Sequence, residues 1–422
     1  MFKQIIKIIW QQRSSNAWIW GEILLVSICL WYVVDDLYVK SWLYYTPIGY
    51  DISNVYTIDL GALTEENHEY HPQNEYGSTL GEDLLTLVSR IKTHPGVEAV
   101  GISSASLPYS YWRNYSNLMR IRNEMNDTLE IGTTRRYMAT PDYLRVFRYT
   151  TLQGNTETLA NNLNFNQIII SQDVEEQLYP EGHAMDKVID FNLNDSLETR
   201  IGGVMNPIRF GDFETYSPTF ILPMSEKMIA EALNEERFQG TQITLRTTTA
   251  EKDFISNFKK NMANILRYNN IYLLDVRSFE DIRSKYIRND INNSKMYLAT
   301  VFFLLTNIFL GIVGTFFFRT QHRQSEMGLR IALGSTKENL RSIFIVEGLT
   351  ILMLAFLPAS VIALNLGLKE IVNVDIMPFS LQRFMICQMI TFLLMSFMIV
   401  LGIWYPAQQA CRINPAETLR NE

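Results

Sequence analysis

Two imidazoles beside a carboxylate are the first candidates for chemistry in this chain: His68, Glu69, Tyr70 and His71 are its nearest approach to a metal box. A zinc site needs three or four converging donors, and these residues sit in a polar stretch closed by Pro72, where surface histidines need no ligand. His94 and His183 fall in turn-like contexts. The neighbouring acids Asp35 and Asp36, like Glu175 and Glu176, read as solvated faces and not as a general acid with its base. No G-x-x-x-x-G-K-[ST] phosphate loop, G-x-S-x-G elbow or H-E-x-x-H helix occurs. No catalytic residue, metal or cofactor is therefore expected, and any nucleotide hydrolysis falls to a partner chain.

A different kind of function is written in residues 318–348, FRTQHRQSEMGLRIALGSTKENLRSIFIVEG. A charged amphipathic segment carrying Glu326, Arg330 and an internal Gly334, set between two apolar runs, needs a partner surface to fit against. The elements that must position it follow from the layout of apolar residues. Of the 422 residues 47% are hydrophobic and 12% aromatic, but they are unevenly spread. Residues 17–34, 296–318, 343–366 and 384–405 carry almost no charge, and each is long enough as a helix to cross about 30 Å of hydrocarbon. Pro358 lies inside the third and predicts a kink there. The first reads as a retained span and not a cleavable leader, because it is rich in Trp and no small-x-small site precedes Asp35.

Orientation follows from the short flanks. Lys3, Lys7 and Arg13 precede the first span, and Arg319, Arg323, Arg330, Lys337 and Arg341 lie between the second and third, so these sides are cytoplasmic. Both termini are then inside, with Arg412 and Arg420 in the tail. Residues 1–16 alternate Phe2, Ile5, Ile6, Ile9 and Trp10 with polar positions and predict an amphipathic helix on the inner leaflet. The fold class expected is an α-helical membrane protein with four transmembrane helices and a large mixed α/β extracytoplasmic domain between helices 1 and 2. Residues 319–342 form a cytoplasmic loop, 367–383 a short outer loop and 406–422 a cytoplasmic tail.

The outer domain, residues 35–295, alternates strand-like and helix-like segments. Strands are predicted at 55–60, 97–102, 167–171, 200–205 and 271–276, and helices at 80–92, 172–178 and 251–266, with a helix from 279 that continues into the second span. The three cysteines, Cys29, Cys387 and Cys411, leave this domain without a disulfide framework. A net charge of −7 with no basic stripe outside the membrane flanks excludes nucleic acid as a partner.

Arg323, Glu326, Met327, Gly328, Leu329, Arg330, Ala332, Leu333, Gly334, Ser335 and Thr336, followed by Phe344, Glu347 and Gly348, resemble the signature of the MacB/FtsX-like permeases of ABC transporters. The tail from Pro406 and Ala407 through Ala410, Pro415, Glu417, Leu419 and Arg420 resembles that family's closing motif. In the outer domain His94-Pro95-Gly96-Val97-Glu98, the run YMATPDYLRVF at 137–147 and Gly154 resemble the MacB periplasmic core, so the resemblance covers nearly the whole chain.

The resemblance implies porter-like parts at about 40–115 and 241–290 with an insertion at about 116–240. It implies an inner-membrane permease subunit that pairs with a second permease subunit, as a homodimer or heterodimer. Arg323, Glu326, Met327, Gly328, Leu329, Arg330, Leu333 and Gly334 would seat a cytoplasmic ABC ATPase, whose ATP-driven motion passes to the periplasmic domain for efflux or envelope export. A periplasmic adaptor and an outer-membrane channel are further partners it implies, beside the membrane lipid. Lipoprotein release, or FtsX-like control of a periplasmic partner, is the alternative. Two features depart from MacB. The chain carries no ATPase of its own, so a separate one is expected, and the first span offers bulky Trp18, Trp20, Trp31 and Tyr32 where small residues are frequent. In the second span Gly311 and Gly314 are the small residues that permit close helix approach.

Overall fold

The structure is a computed structural model, and it describes residues 13–72, 77–110, 115–116, 119–123, 128–164, 166–190, 199–233, 238, 240–248, 253–322 and 334–410. The chain divides into a helical unit, Met1–Tyr45 with Asp290–Glu422, and an α/β unit, Thr46–Asn289.

The first helix, α1, runs Arg13–Tyr45, eleven residues past the end of the apolar window. It does not stop at Asp35 because its buried stripe continues beyond the hydrocarbon-length run: Val39 and Leu43 are buried like Ile23, Val26 and Leu30 before them. Lys40 pairs with Asp36 one turn back at 2.8 Å, both side chains half-buried.

In the α/β unit the elements are β1 (Val55–Ala62), α2 (Leu80–Lys92), β2 (Val97–Ser104), β3 (Tyr115–Ser116), β4 (Met119–Asn123), β5 (Thr128–Ile131), β6 (Thr134–Ala139), α3 (Pro141–Phe147), α4 (Thr156–Asn162) and β7 (Gln167–Ser171). Then come α5 (Gln172–Leu178), β8 (Val188–Asp190), β9 (Thr199–Met205), β10 (Thr219–Pro223), α6 (Glu226–Ala232), β11 (Thr241–Thr247), α7 (Phe254–Met262), β12 (Ile271–Ser278) and α8 (Phe279–Tyr286). Among the described residues these strands form one sheet of twelve, in the order β12-β1-β11-β2-β6-β10-β7-β9-β8-β4-β5, with β3 beside β6.

The two ends of the segment meet in this order. β1-α2-β2 and β11-α7-β12 interleave as β12-β1-β11-β2, all antiparallel, the arrangement of a split βαβ pair. The signals that start α2 are local: Thr79 Oγ1 accepts from Glu82 N, and the Glu82 carboxylate accepts from Thr79 N, a complete capping box. Its face of Leu84, Leu87, Val88 and Ile91 buries against Ile58, Val100, Ile102, Ile243 and Val276 of the strands and Phe254 and Phe258 of α7. Each such side chain contributes about 1.5–3 kcal/mol by leaving water. The middle of the segment has a second core, in which Ile168 and Ile170 of β7, Ile201 of β9 and Phe220 of β10 cover Val174 and Leu178 of α5. Parallel pairing of β7 with β9 and of β6 with β10 gives that half mixed topology.

The helical unit is completed by α9 (Arg288–His322), α10 (Lys337–Leu368) and α11 (Leu381–Ala410). One residue, Ile287, separates α8 from α9, so the helix that begins at Phe279 is interrupted before the second span. α1, α9, α10 and α11 are long and apolar enough to cross a membrane. Their shared core includes Leu30, Trp31, Ile312, Phe316, Phe344, Leu352, Ala355, Met395 and Ile399. The outer faces carry exposed Trp18, Phe302, Phe318, Leu357 and Phe397, which hydrocarbon solvates without penalty.

Candidate functional site

The loop between α9 and α10 holds the residues that the sequence singles out. Of these, Arg323, Glu326, Met327, Gly328, Leu329, Arg330 and Leu333 lie outside the described residues. Gly334 is described, and its φ of +93° is a conformation that side chains disfavour, so glycine is what lets the chain turn into α10. Two residues on, Thr336 caps α10 by accepting from Asn339 N at 3.3 Å.

The base of the loop is fastened from both sides. Near the end of α9 Arg319 donates to Glu347 of α10 at 2.9 Å, with the two side chains 7% and 2% exposed. In a low-dielectric site neither charge is tolerable alone, so the pair holds α9 and α10 in one register. Arg319 therefore explains the acid near the start of the third span. Six residues before that acid, Arg341 lies over the Trp404 ring of α11 at 4.8 Å.

A second buried pair closes the opposite end of the unit. Arg383 at the start of α11 donates from Nε to Asp35 Oδ1 at 2.9 Å and from Nη2 to Asp35 Oδ2 at 2.5 Å, and both side chains are 1% exposed. Its Nη1 donates to the carbonyls of Asn373 and Met377, so the α10–α11 connection is gathered onto the same guanidinium. This corrects the assignment of Asp35 to a solvated face. The bidentate fork supplies what water would have supplied, which is why the acid can be buried in mid-helix. Asp36, which follows, is half-buried as well and pairs with Lys40.

Close helix approach depends on more than the two glycines of the second span. A Cβ at Gly311 would lie 2.7 Å from Glu22 Oε1, so Gly311 leaves room for the one acid of the first span. Gly314 faces open space. Gly348, about three turns into α10, is the tighter position: its missing Cβ would collide with Ile403 and come within 3.1 Å of Ile399, both on α11.

Among its described residues the α/β unit brings no reacting constellation together. The His68 to His71 segment is pinned structurally, with Glu69 taking Arg267 at 2.6 Å and Asn270 bonding the His71 backbone on both sides. Among the described residues no group of three or more His, Cys, Asp or Glu is placed to hold a metal. Its perturbed acids are structural too. Burial pushes Asp51 up, but the Ser53 amide and the Arg246 and Arg148 guanidiniums outweigh it and hold the carboxyl below 3.8. Asp142 is likewise held down, against burial, by Lys92 at 2.7 Å and Arg145 at 2.8 Å.

Four spans, a large α/β insertion after the first, and a fastened loop between the second and third define a membrane permease subunit. Residues 46–256, half of the chain, match the MacB-like periplasmic core domain, and residues 298–415 match the FtsX-like permease C-terminal domain. The chain belongs to the MacB/FtsX-like permease family of ABC transporters, and with its four apolar helices it is a multi-pass inner-membrane protein of a kind that is generally non-catalytic. Among solved structures it is similar to a domain of a permease protein from Porphyromonas gingivalis, at 13% identity over 54% of this chain and 90% of that one, with a TM-score of 0.35. It is similar also to the extracellular domain of the noncanonical ABC-type transporter YknZ of Gram-positive bacteria (18%, 52% and 100%, 0.32) and to the periplasmic region of MacB from Actinobacillus actinomycetemcomitans (12%, 59% and 98%, 0.33). No curated protein matches the chain.

Proposed function

We propose that this chain transmits the ATP-driven motion of a separate cytoplasmic ABC ATPase to its α/β unit, for efflux or envelope export. The observation that carries the proposal is the pair below the loop: the family motif from Arg323 to Gly334 lies between two helices that the buried Arg319–Glu347 pair ties together, three residues before the end of α9 and ten residues into α10. A push delivered to that loop moves α9 and α10 together, because the pair couples them.

In this account Arg323, Glu326, Met327, Gly328, Leu329, Arg330, Leu333 and Gly334 seat on the ATPase; of the inner-leaflet segment expected at residues 1–16, residues 13–16 belong to α1 and residues 1–12 lie outside the described residues. Both termini are cytoplasmic, as the Lys and Arg flanks favour. Interleaving of β1, β2, β11 and β12 supports a porter-like part built from the two ends of the α/β segment, with the middle strands as the insertion. Two permease subunits pair in the membrane, and a periplasmic adaptor with an outer-membrane channel takes over the cargo beyond it. The test is co-purification from native membrane of wild type and of the double variant Glu326→Arg with Gly334→Trp. An ABC ATPase that accompanies wild type and is lost from the variant is the expected result. Absence of an ATPase from both removes the proposal.

A further inference from the structure

Motion reaches the α/β unit along the chain at two points, the step from Tyr45 to Thr46 and the step from Asn289 to Asp290. Inside the unit, one connection grips the segments next to both. It is the stretch 206–218 between β9 and β10, far in sequence from either point.

On the entry side the grip is a buried arginine. Arg209 is 1% exposed, and its guanidinium donates to the carbonyls of Thr46, of Pro47 at 3.3 Å and of Asp212 at 2.9 Å. The Arg209 amide donates to Ile48 O at 3.0 Å, and Tyr216 donates its hydroxyl to Pro47 O at 2.6 Å. Gly49, at φ +92°, lets the entering segment lie against Pro207 and Ile208, where a Cβ would clash.

On the exit side the grip is acidic. Asp212 is 5% exposed and accepts from Arg283 of α8 on both oxygens, from Nε at 3.2 Å and 3.0 Å and from Nη2 at 2.5 Å. Glu214 accepts from Tyr286 of the same helix at 2.5 Å and from Arg135 of β6 at 2.7 Å. α8 leads through Ile287 directly into α9. A connecting loop is ordinarily the soft part of a domain. Here it carries a fully buried guanidinium and, three residues later, a buried carboxylate paired with the half-buried Arg283, and charge-assisted bonds of both kinds fix geometry more strongly than neutral ones.

We infer that residues 206–218 are the junction that locks the chain's entry to its exit, so that displacements of α1 and α9 arrive at the middle strands as one movement, with Arg209 and Asp212 as its positioning residues. The source of that motion rests on the permease function proposed above; the lock itself does not. Because Arg209 and Asp212 share one short rigid segment, loosening either contact should be felt at the other.

Amide hydrogen exchange on the full chain in lipid nanodiscs tests this. Arg209→Lys keeps the charge but cannot reach three carbonyls, and Asp212→Asn keeps the shape but breaks the ion pair. Each should raise exchange about tenfold or more in both 46–50 and 279–287, while β7 stays at the wild-type rate. If each substitution loosens only its own partner, there are two independent contacts and no junction. If β7 loosens equally, the effect is global unfolding and the inference also fails. A second arm uses the chain co-purified with its ATPase: a nucleotide-dependent change in exchange at β8 and β9 should be lost in Arg209→Lys while ATP hydrolysis continues. Persistence of that change overturns the junction as the carrier of motion. A wild type with no nucleotide-dependent change contradicts the permease function, and the first arm then decides the junction alone.

Discussion

Substituting Asp35 by Ala leaves a guanidinium in the interior of the helical unit with only the Asn373 and Met377 carbonyls to face it. The two N–H donors that met the carboxylate, at 2.9 Å and 2.5 Å, lose their acceptor at a site where both partners are 1% exposed, so neither water nor lipid headgroups can reach them. Breaking a buried pair from one side costs about 3–5 kcal/mol. The two remaining carbonyls place Asp35→Ala near the lower limit, at about 3 kcal/mol, and Arg383→Met, which orphans the carboxylate instead, at about the same. Replacing both by apolar groups, Asp35→Leu with Arg383→Met, removes the uncompensated charge. Its cost should fall short of the sum of the singles by about 2 kcal/mol or more. Reversible unfolding of the full chain in bicelles, followed by steric trapping, gives all the free energies of the cycle. A loss under about 1 kcal/mol for Asp35→Ala, or additive singles, would show that the pair is not the buried clamp described.

Two further outcomes follow from local geometry. Gly348→Ala should destabilise the helical unit by about 1–3 kcal/mol, because its methyl meets Ile403 and Ile399 of α11, whereas Gly314→Ala, which meets nothing, should be within about 0.5 kcal/mol of wild type; the same unfolding assay compares them. In the α/β unit Arg145 bonds Glu157 at 2.7 Å and lowers its carboxyl, and at 2.8 Å it helps Lys92 hold the Asp142 carboxyl down against burial. Lowered acids stabilise the fold above their unfolded pKa and lose that contribution as pH falls through the folded value. The stability advantage of wild type over Arg145→Ala should thus be full above about pH 5 and close as the pH drops below the carboxylate range, read from denaturant midpoints against pH. An advantage that grows toward acid pH would reverse the assignment.

How much could be read beforehand differs from element to element. The four long helices are legible because hydrocarbon demands an uninterrupted apolar run. α2 and α8 are legible because their caps and periodicity are local: Thr79 with Glu82 in the first case, Ser278 with Asp281 in the second. Asp35 misleads for a physical reason. An acidic pair after an apolar run looks like the end of a span, and only a partner 348 residues away turns one member of it inward. The helix past Val34 is similarly hidden, since Val39 and Leu43 are too sparse to register as an apolar window. Strands β3, β4, β5 and β8 are two to five residues long, too short for a period-two pattern to stand out, and their pairing is set by neighbours far along the chain. Arg319 was legible only in part: Glu347 asks for a cation, but its identity needs the geometry of α9 against α10. Arg209 and Asp212 gave no signal, because single polar residues in an irregular loop acquire meaning only from what surrounds them.

The most direct test of the account is whether events at the loop between α9 and α10 change the α/β unit. Full chain and ATPase, co-purified into nanodiscs, would carry one spin label on exposed Leu152 and another on exposed Leu274, and the distance distribution would be recorded without nucleotide and with ATP plus vanadate. The account predicts a nucleotide-dependent change in the wild type that is absent in Gly334→Trp. An ATPase that binds and hydrolyses while the α/β unit keeps one unchanged distribution would contradict it.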